Sequence, residues 1–163
     1  VYQKGHYGAA LLAYAPLGFV VAVAGFRTLA FAGGAVAVAL AMVPDFDTRI
    51  PFVDHRGPTH TVWFAVLVGL AVGTAGLLFG QGLGLFSTVA LAGFGFLVGF
   101  VTICSHIAAD SITPMGVTPY TPFSDRYISY NIVLAKNRAA NWLFLTAGVL
   151  MTGGAFALTM LVV

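Results

Sequence analysis

The chain has 163 residues, 60% of them hydrophobic and 7% charged, with a mean hydropathy of +0.97 and a formal net charge of +2. Water-soluble domains run at roughly 45–50% apolar and 25% charged, so this composition excludes a soluble fold, and no polar block is long enough to build a separate catalytic domain. So small a charge, without a run of basic residues, also excludes a nucleic-acid surface.

A hydrocarbon layer of roughly 30 Å takes about 20 helical residues to cross. The first apolar segment runs from Ala9 to Gly25 and the second from Thr28 to Val43, joined by little more than Phe26 and Arg27. Both are short, which predicts a tight helical hairpin or a partly re-entrant pair. The stretch from Tyr2 to Lys4 is too brief for the charged region of a cleavable leader, so the first helix is expected to stay. His6 opens that helix. After the second segment comes Val43-Pro44-Asp45-Phe46-Asp47, where Pro44 disrupts regular helix as two carboxylates appear. Carboxylates at a membrane helix end cost energy unless they are paired or bound to a cation, a solvated cap being the competing reading. Asp45 and Asp47 stand two apart and could converge in a turn, so either is a candidate ligand.

Next comes Asp54-His55-Arg56-Gly57-Pro58-Thr59-His60-Thr61. A turn on Gly57 and Pro58 aims two imidazoles inward at the threshold of the third segment, Thr61 to Gly80, with Thr59 a candidate amino-terminal cap. The fourth segment, Leu83 to Ile107, leads into Ser105-His106-Ile107-Ala108-Ala109-Asp110. A spacing of four stacks His106 and Asp110 on one helix face, as a shared metal or a His-Asp pair requires. Gly69 and Gly73, Gly76 and Gly80, and Gly95 and Gly99 repeat the small-xxx-small spacing of closely packed membrane helices. Cys104, the single cysteine, reads as a small core residue. From Ser111 to Arg138 runs the longest non-spanning stretch, with Pro114, Pro119, Pro122 and three tyrosines. It reads as a loop over the polar residues, either a lid for a lipid-like substrate or an interfacial anchor, and Trp63 and Trp142 read as interface-belt residues. The fifth segment spans Ala139 to Val163.

The expected fold is therefore all-α, a polytopic integral-membrane bundle of about five transmembrane helices forming a single domain over residues 1–163. Five crossings bring the amino terminus and the connections after the second and fourth helices to one side. That side carries Lys4, Arg49, Arg56, Arg126, Lys136 and Arg138 against Arg27 alone on the other, which predicts a cytoplasmic amino terminus and an outer carboxyl terminus. All four histidines and all five aspartates fall on or near the same side, and the chain has no glutamate.

His6, Asp45, Asp47, His60, His106 and Asp110 make a nitrogen and oxygen ligand set suited to zinc, with manganese or iron as alternatives. One metal needs only three or four of them, so the excess implies a second metal or a general base with supporting carboxylates, both used to activate water against an ester or phosphoester. Asp47 and His55 are candidate bases, and Arg56 is a candidate stabiliser of developing negative charge, with a membrane-surface anchor as its plainer reading. A metal or proton transporter is the first alternative, since intramembrane His and Asp clusters also mark ion pathways, and a metal-stabilised scaffold the second. Membrane lipids are the expected partners, with a lipid or phosphoester substrate and room for a homo-oligomer.

The motifs Lys4-Gly5-His6, Val43-Pro44-Asp45-Phe46-Asp47, His55-Arg56-Gly57-Pro58-Thr59-His60-Thr61 and Ser105-His106 through Asp110 to Thr113-Pro114-Met115-Gly116-Val117 resemble the YdjM-like family of inner-membrane metal-dependent hydrolases. Val43 stands where that family has leucine and Thr61 where it has serine, and neither change removes a ligand. The resemblance implies a membrane-embedded, metal-dependent hydrolase domain. A weaker likeness is to the zinc-dependent phospholipase C and nuclease fold. It implies that Asp45 or Asp47 with His60, His106 and Asp110 holds one metal and that His6 helps hold another, although that fold's second histidine and acid pair is missing here.

Overall fold

The computed structural model describes residues 1–162, so Val163, at the end of the fifth predicted segment, lies outside the described residues. Five α-helices follow in chain order: α1 (Gln3–Val23), α2 (Arg27–Leu40), α3 (Val62–Gly80), α4 (Leu85–Ser111) and α5 (Arg138–Val162). Two short 3-10 helices, Pro44–Arg49 and Pro58–His60, lie between α2 and α3. There is no strand among the described residues beyond one isolated bridge pairing Val117 with Ile128.

All five helices are long and apolar enough to cross a membrane. The first two are longer than hydropathy predicts. α1 starts at Gln3 rather than Ala9 and has 21 residues, about 31 Å at 1.5 Å per residue. Its first turn was hidden by polar side chains that helix formation tolerates at a membrane edge: Lys4 lays its ammonium over the Trp142 ring at 3.9 Å from the centroid. α2 has 14 α-helical residues, and with the turn and the 3-10 helix that follow it the stretch from Arg27 to Arg49 has 23 residues, long and apolar enough to cross a membrane.

Helix packing follows the glycines. A β-carbon at Gly73 would stand 3.0 Å from the Ala92 carbonyl oxygen, one at Gly95 2.6 Å from that of Val72, and one at Gly99 2.9 Å from that of Val68. The α3–α4 pair thus packs backbone to backbone, as small-xxx-small spacing allows. A second such contact joins α1 to α5, where a β-carbon on Gly8 would collide with the Phe144 backbone and one on Gly148 with the Gly8 backbone. Large apolar side chains such as Leu67, Leu70, Phe79, Leu143 and Leu150 point outward, the pattern of a bundle solvated by hydrocarbon.

The two ends of the bundle differ. At one end the turns at Gly25 and Gly82 are short, and the Arg27 guanidinium donates to the Thr159 carbonyl at 3.0 Å, tying α2 to α5. At the other end meet the first turn of α1, the first 3-10 helix, the loop before α3, the last turns of α4 and the long connection to α5. Pro44 opens the first 3-10 helix and ends α2's regular ladder, as the sequence predicts. Thr61, rather than Thr59, caps α3, its hydroxyl accepting from the Phe64 amide at 3.2 Å. The long connection folds back on α4: the Tyr130 amide donates to Ser111 and the Ile132 amide to Ile112, both at 2.8 Å.

A candidate metal centre at one end of the bundle

Each helix end delivers one or two side chains to a common point. α1 brings His6, the first 3-10 helix Asp45 and Asp47, the second 3-10 helix His60, and α4 brings His106 and Asp110 one turn apart. Except for Asp45, 20% exposed at its side chain, all of these are at most 1% exposed. Such burial of carboxylates and imidazoles is stable only if they are paired or bound to a cation.

Four ligand atoms converge. His60 Nε2 lies 3.2 Å from His106 Nε2, 3.4 Å from Asp45 Oδ1 and 3.5 Å from Asp110 Oδ2. His106 Nε2 lies 3.3 Å from Asp45 Oδ1 and 3.7 Å from Asp110 Oδ2. Ligands at zinc distances of about 2.0–2.2 Å in a tetrahedron stand about 3.3–3.6 Å from one another, and these separations, from 3.2 to 3.7 Å, lie within about 0.1 Å of that range. The opposite side of each imidazole is fixed. His106 Nδ1 donates to the Ala41 carbonyl at 2.7 Å, an oxygen that the end of α2 leaves free of regular helix pairing. His60 Nδ1 faces Thr59 Oγ1 at 3.1 Å and Asp47 Oδ2 at 3.3 Å. Both rings thereby turn a lone pair on Nε2 toward the same point, which holds only with a proton or a cation between them. His60 lies outside the spanning helices. Burial alone would lower its pKa, but hydrogen bonding to Asp110 and Asp45 and the charges of Asp110 and Asp47 outweigh this, and it is raised above the ordinary imidazole value.

His6 sits against this group. Its ring stacks on His106 at 3.7 Å between centroids, and its Nε2 lies 3.4 Å from Asp110 Oδ1 and 3.9 Å from Asp45 Oδ2. Neither His6 nitrogen makes a hydrogen bond to the described residues although the side chain is buried. A buried imidazole that makes no hydrogen bond, with only Asp110 Oδ1 at 3.4 Å and Asp45 Oδ2 at 3.9 Å beside its Nε2, is costly in a closed apolar bundle, and a cation beside Asp45 and Asp110 would relieve it. The donor set and this orphaned ring fit a divalent ion of the zinc type.

Asp47 faces the other way. Its Oδ1 meets His55 Nδ1 at 2.9 Å, while its Oδ2 accepts from the Arg56 amide at 3.0 Å and the Thr59 hydroxyl at 2.9 Å. Asp45 therefore belongs with the four converging atoms, and Asp47 with His55 and the Nδ1 side of His60. Both aspartates occur in the 3-10 helix, where about 120° separates neighbours, so positions two apart cannot share a face.

Arg56 closes the loop onto α4. Its guanidinium meets Asp110 Oδ1 at 3.0 Å, Thr113 Oγ1 at 3.0 Å and the Gly116 carbonyl at 2.9 Å, while its Nε is buried without a partner. Its backbone stands at φ +64°, a region that non-glycine residues rarely adopt and that these contacts hold in place.

A cavity of about 590 Å³ opens beside the centre, its lining including Asp45, Asp110, His55, Arg56 and Lys136 together with the apolar Met42, Met115 and Leu134. His55, 39% exposed, presents its ring there while Asp47 holds its Nδ1. Asp54 and Asp125 are exposed and stand outside the cluster. Sequence reasoning missed Thr113, fully buried with its hydroxyl on the Asp110 carbonyl, and Asn141, which accepts from the Tyr2 amide and donates to the Ala135 and Asn137 carbonyls. An asparagine in an otherwise apolar helix was the available signal for the latter, since such amides must find partners in lipid.

The family model described as YdjM inner membrane protein matches residues 4–163. No curated protein and no solved structure matches the chain.

Proposed function

This chain belongs to the YdjM family of inner membrane proteins, and we propose that it is a metal-dependent hydrolase acting on a phosphoester or ester presented at the cytoplasmic membrane face. The observation that carries this reading is the convergence of His60 Nε2, His106 Nε2, Asp45 Oδ1 and Asp110 Oδ2, with each imidazole aimed by an oxygen behind it. Those residues would hold the ion, zinc before manganese or iron, with His6 alongside. A bound divalent ion supplies Lewis-acid polarisation of the ester and a water of lowered pKa.

The chain's own residues do the rest. His55, its Nδ1 held by Asp47 at 2.9 Å and its ring at the cavity wall, takes a proton from the attacking water and returns one to the leaving oxygen. Asp47 keeps the tautomers of both His55 and His60. Arg56 steadies negative charge on the substrate through the guanidinium that lines the cavity. The ionisable groups gather at one end, and the buried polar side chains toward the helix centres are uncharged Tyr14 and Thr102, which favours surface chemistry over a path through the bilayer. Excess positive charge at the site end favours a cytoplasmic orientation.

The test is elemental analysis of detergent-solubilised protein against a His60→Ala, His106→Ala double variant, followed by hydrolysis assays on aryl phosphates and phospholipids. Stoichiometric metal lost in the variant, with hydrolysis that Asp45→Asn abolishes, is the expected result. A folded wild type that neither retains nor takes up metal overturns the reading.

A further inference from the structure

Resting on the hydrolase reading, we propose that the occupant of the cavity beside the centre is a lipid-borne phosphate monoester, its head held between Arg56 and Lys136 and its chain leaving past Met42, Met115 and Leu134.

Charge comes first. A divalent ion would balance Asp45 and Asp110, and the Arg56 guanidinium, 3.0 Å from Asp110 Oδ1, offsets one further acid of the cluster, which leaves Lys136 beside the cavity without an ion-pair partner among the described residues. The wall then favours an anion, and a phosphate monoester near neutral pH carries about −1.5 to −2. Hydrogen bonding points the same way. Arg56 lines the cavity, its side chain is 9% exposed, and its buried Nε–H has no partner among the described residues. A phosphate oxygen is the acceptor that such a guanidinium is shaped to meet.

The apolar residues of the lining call for an apolar chain. Met115 is 64% and Leu134 55% exposed, and two and four residues before Leu134 stand Ile132, 73% exposed, and Tyr130, 66% exposed. They lie on the long connection at the end of a lipid-solvated bundle, where an amphiphile can keep its chain in the bilayer while its head reaches Asp45. A soluble phosphate ester would leave that apolar wall unused. Hydrolysis of such a lipid joins the water oxygen to phosphorus and breaks the bond from phosphorus to the lipid oxygen. The lipid leaves as an alcohol with the proton that His55 returns.

Native mass spectrometry of the detergent-solubilised protein tests this, with metal content measured on the same samples. The probes are phosphatidic acid, phosphatidylcholine and glycerol phosphate, each added to wild type, Lys136→Ala and Lys136→Arg. The expected result is retention of phosphatidic acid over both other probes, cut about tenfold in Lys136→Ala with metal unchanged and restored in Lys136→Arg. Metal-loaded protein that retains phosphatidylcholine equally, or is indifferent to Lys136→Ala, overturns the proposal and leaves the hydrolase reading standing. Glycerol phosphate binding as tightly as phosphatidic acid overturns the lipid part. Loss of lipid selectivity together with absence of metal from wild type overturns the hydrolase reading itself.

Discussion

At His60 the two ring nitrogens have different partners, and this makes the centre sensitive to pH. In ion-free protein, burial alone would lower the pKa of His60, but hydrogen bonds to Asp110 and Asp45 and the charge around them raise it overall. The folded state thus holds that proton more tightly than an unfolded chain does. Its stabilising contribution is present below the ordinary imidazole pKa and is lost as pH rises through the raised value. Metal needs the Nε2 lone pair, so the sign for binding is opposite: affinity falls as pH drops through the raised pKa, and ion uptake releases a proton. Calorimetric zinc titrations in buffers of different ionisation enthalpy should show that release, and a pH-independent affinity would contradict it. Asp47→Asn removes the carboxylate behind His60 without touching the four converging atoms. It should weaken metal affinity by about 10–100-fold while leaving the stoichiometry intact. His106→Ala, by contrast, should cost the site its metal outright.

Among the elements, the α3–α4 and α1–α5 pairs depend on glycines that bring backbones together. Gly76→Val would drive a side chain into the Leu91 backbone and should destabilise the fold by about 1–3 kcal/mol, read as a lower Tm in detergent. Gly93, four residues from neither repeat's partner and with nothing within 4 Å of its would-be β-carbon, should accept alanine with an unchanged or slightly higher Tm. The repeat at Gly69, Gly73, Gly76 and Gly80 was readable because spacing alone defines a face. Gly8 and Gly148 were not, since they lie on helices 140 residues apart in the chain and no local spacing links them.

For the molecule as a whole, orientation is open to direct measurement. In a Cys104→Ser background, Asp125→Cys should react with a membrane-impermeant maleimide only after the membrane is opened, and Gln81→Cys should react in intact cells. The opposite pattern would place the site outside the cell and remove the cytoplasmic substrate pool from consideration. By itself the sequence determined the membrane class, the five helices, the end of the bundle that collects the ionisable groups, and the residue types offered to a metal. Hydropathy and charge are local quantities, and a chain that keeps acids out of the middle of its apolar segments shows where its acids belong. Only the tertiary structure decided which way each side chain faces. Asp45 joins His60 and His106 while Asp47 stands behind them, because the 3-10 turn after Pro44 rotates the two apart. Likewise the free Ala41 carbonyl that aims His106 is 65 residues away in sequence, and only the packing of α2 against α4 brings the two within a hydrogen bond.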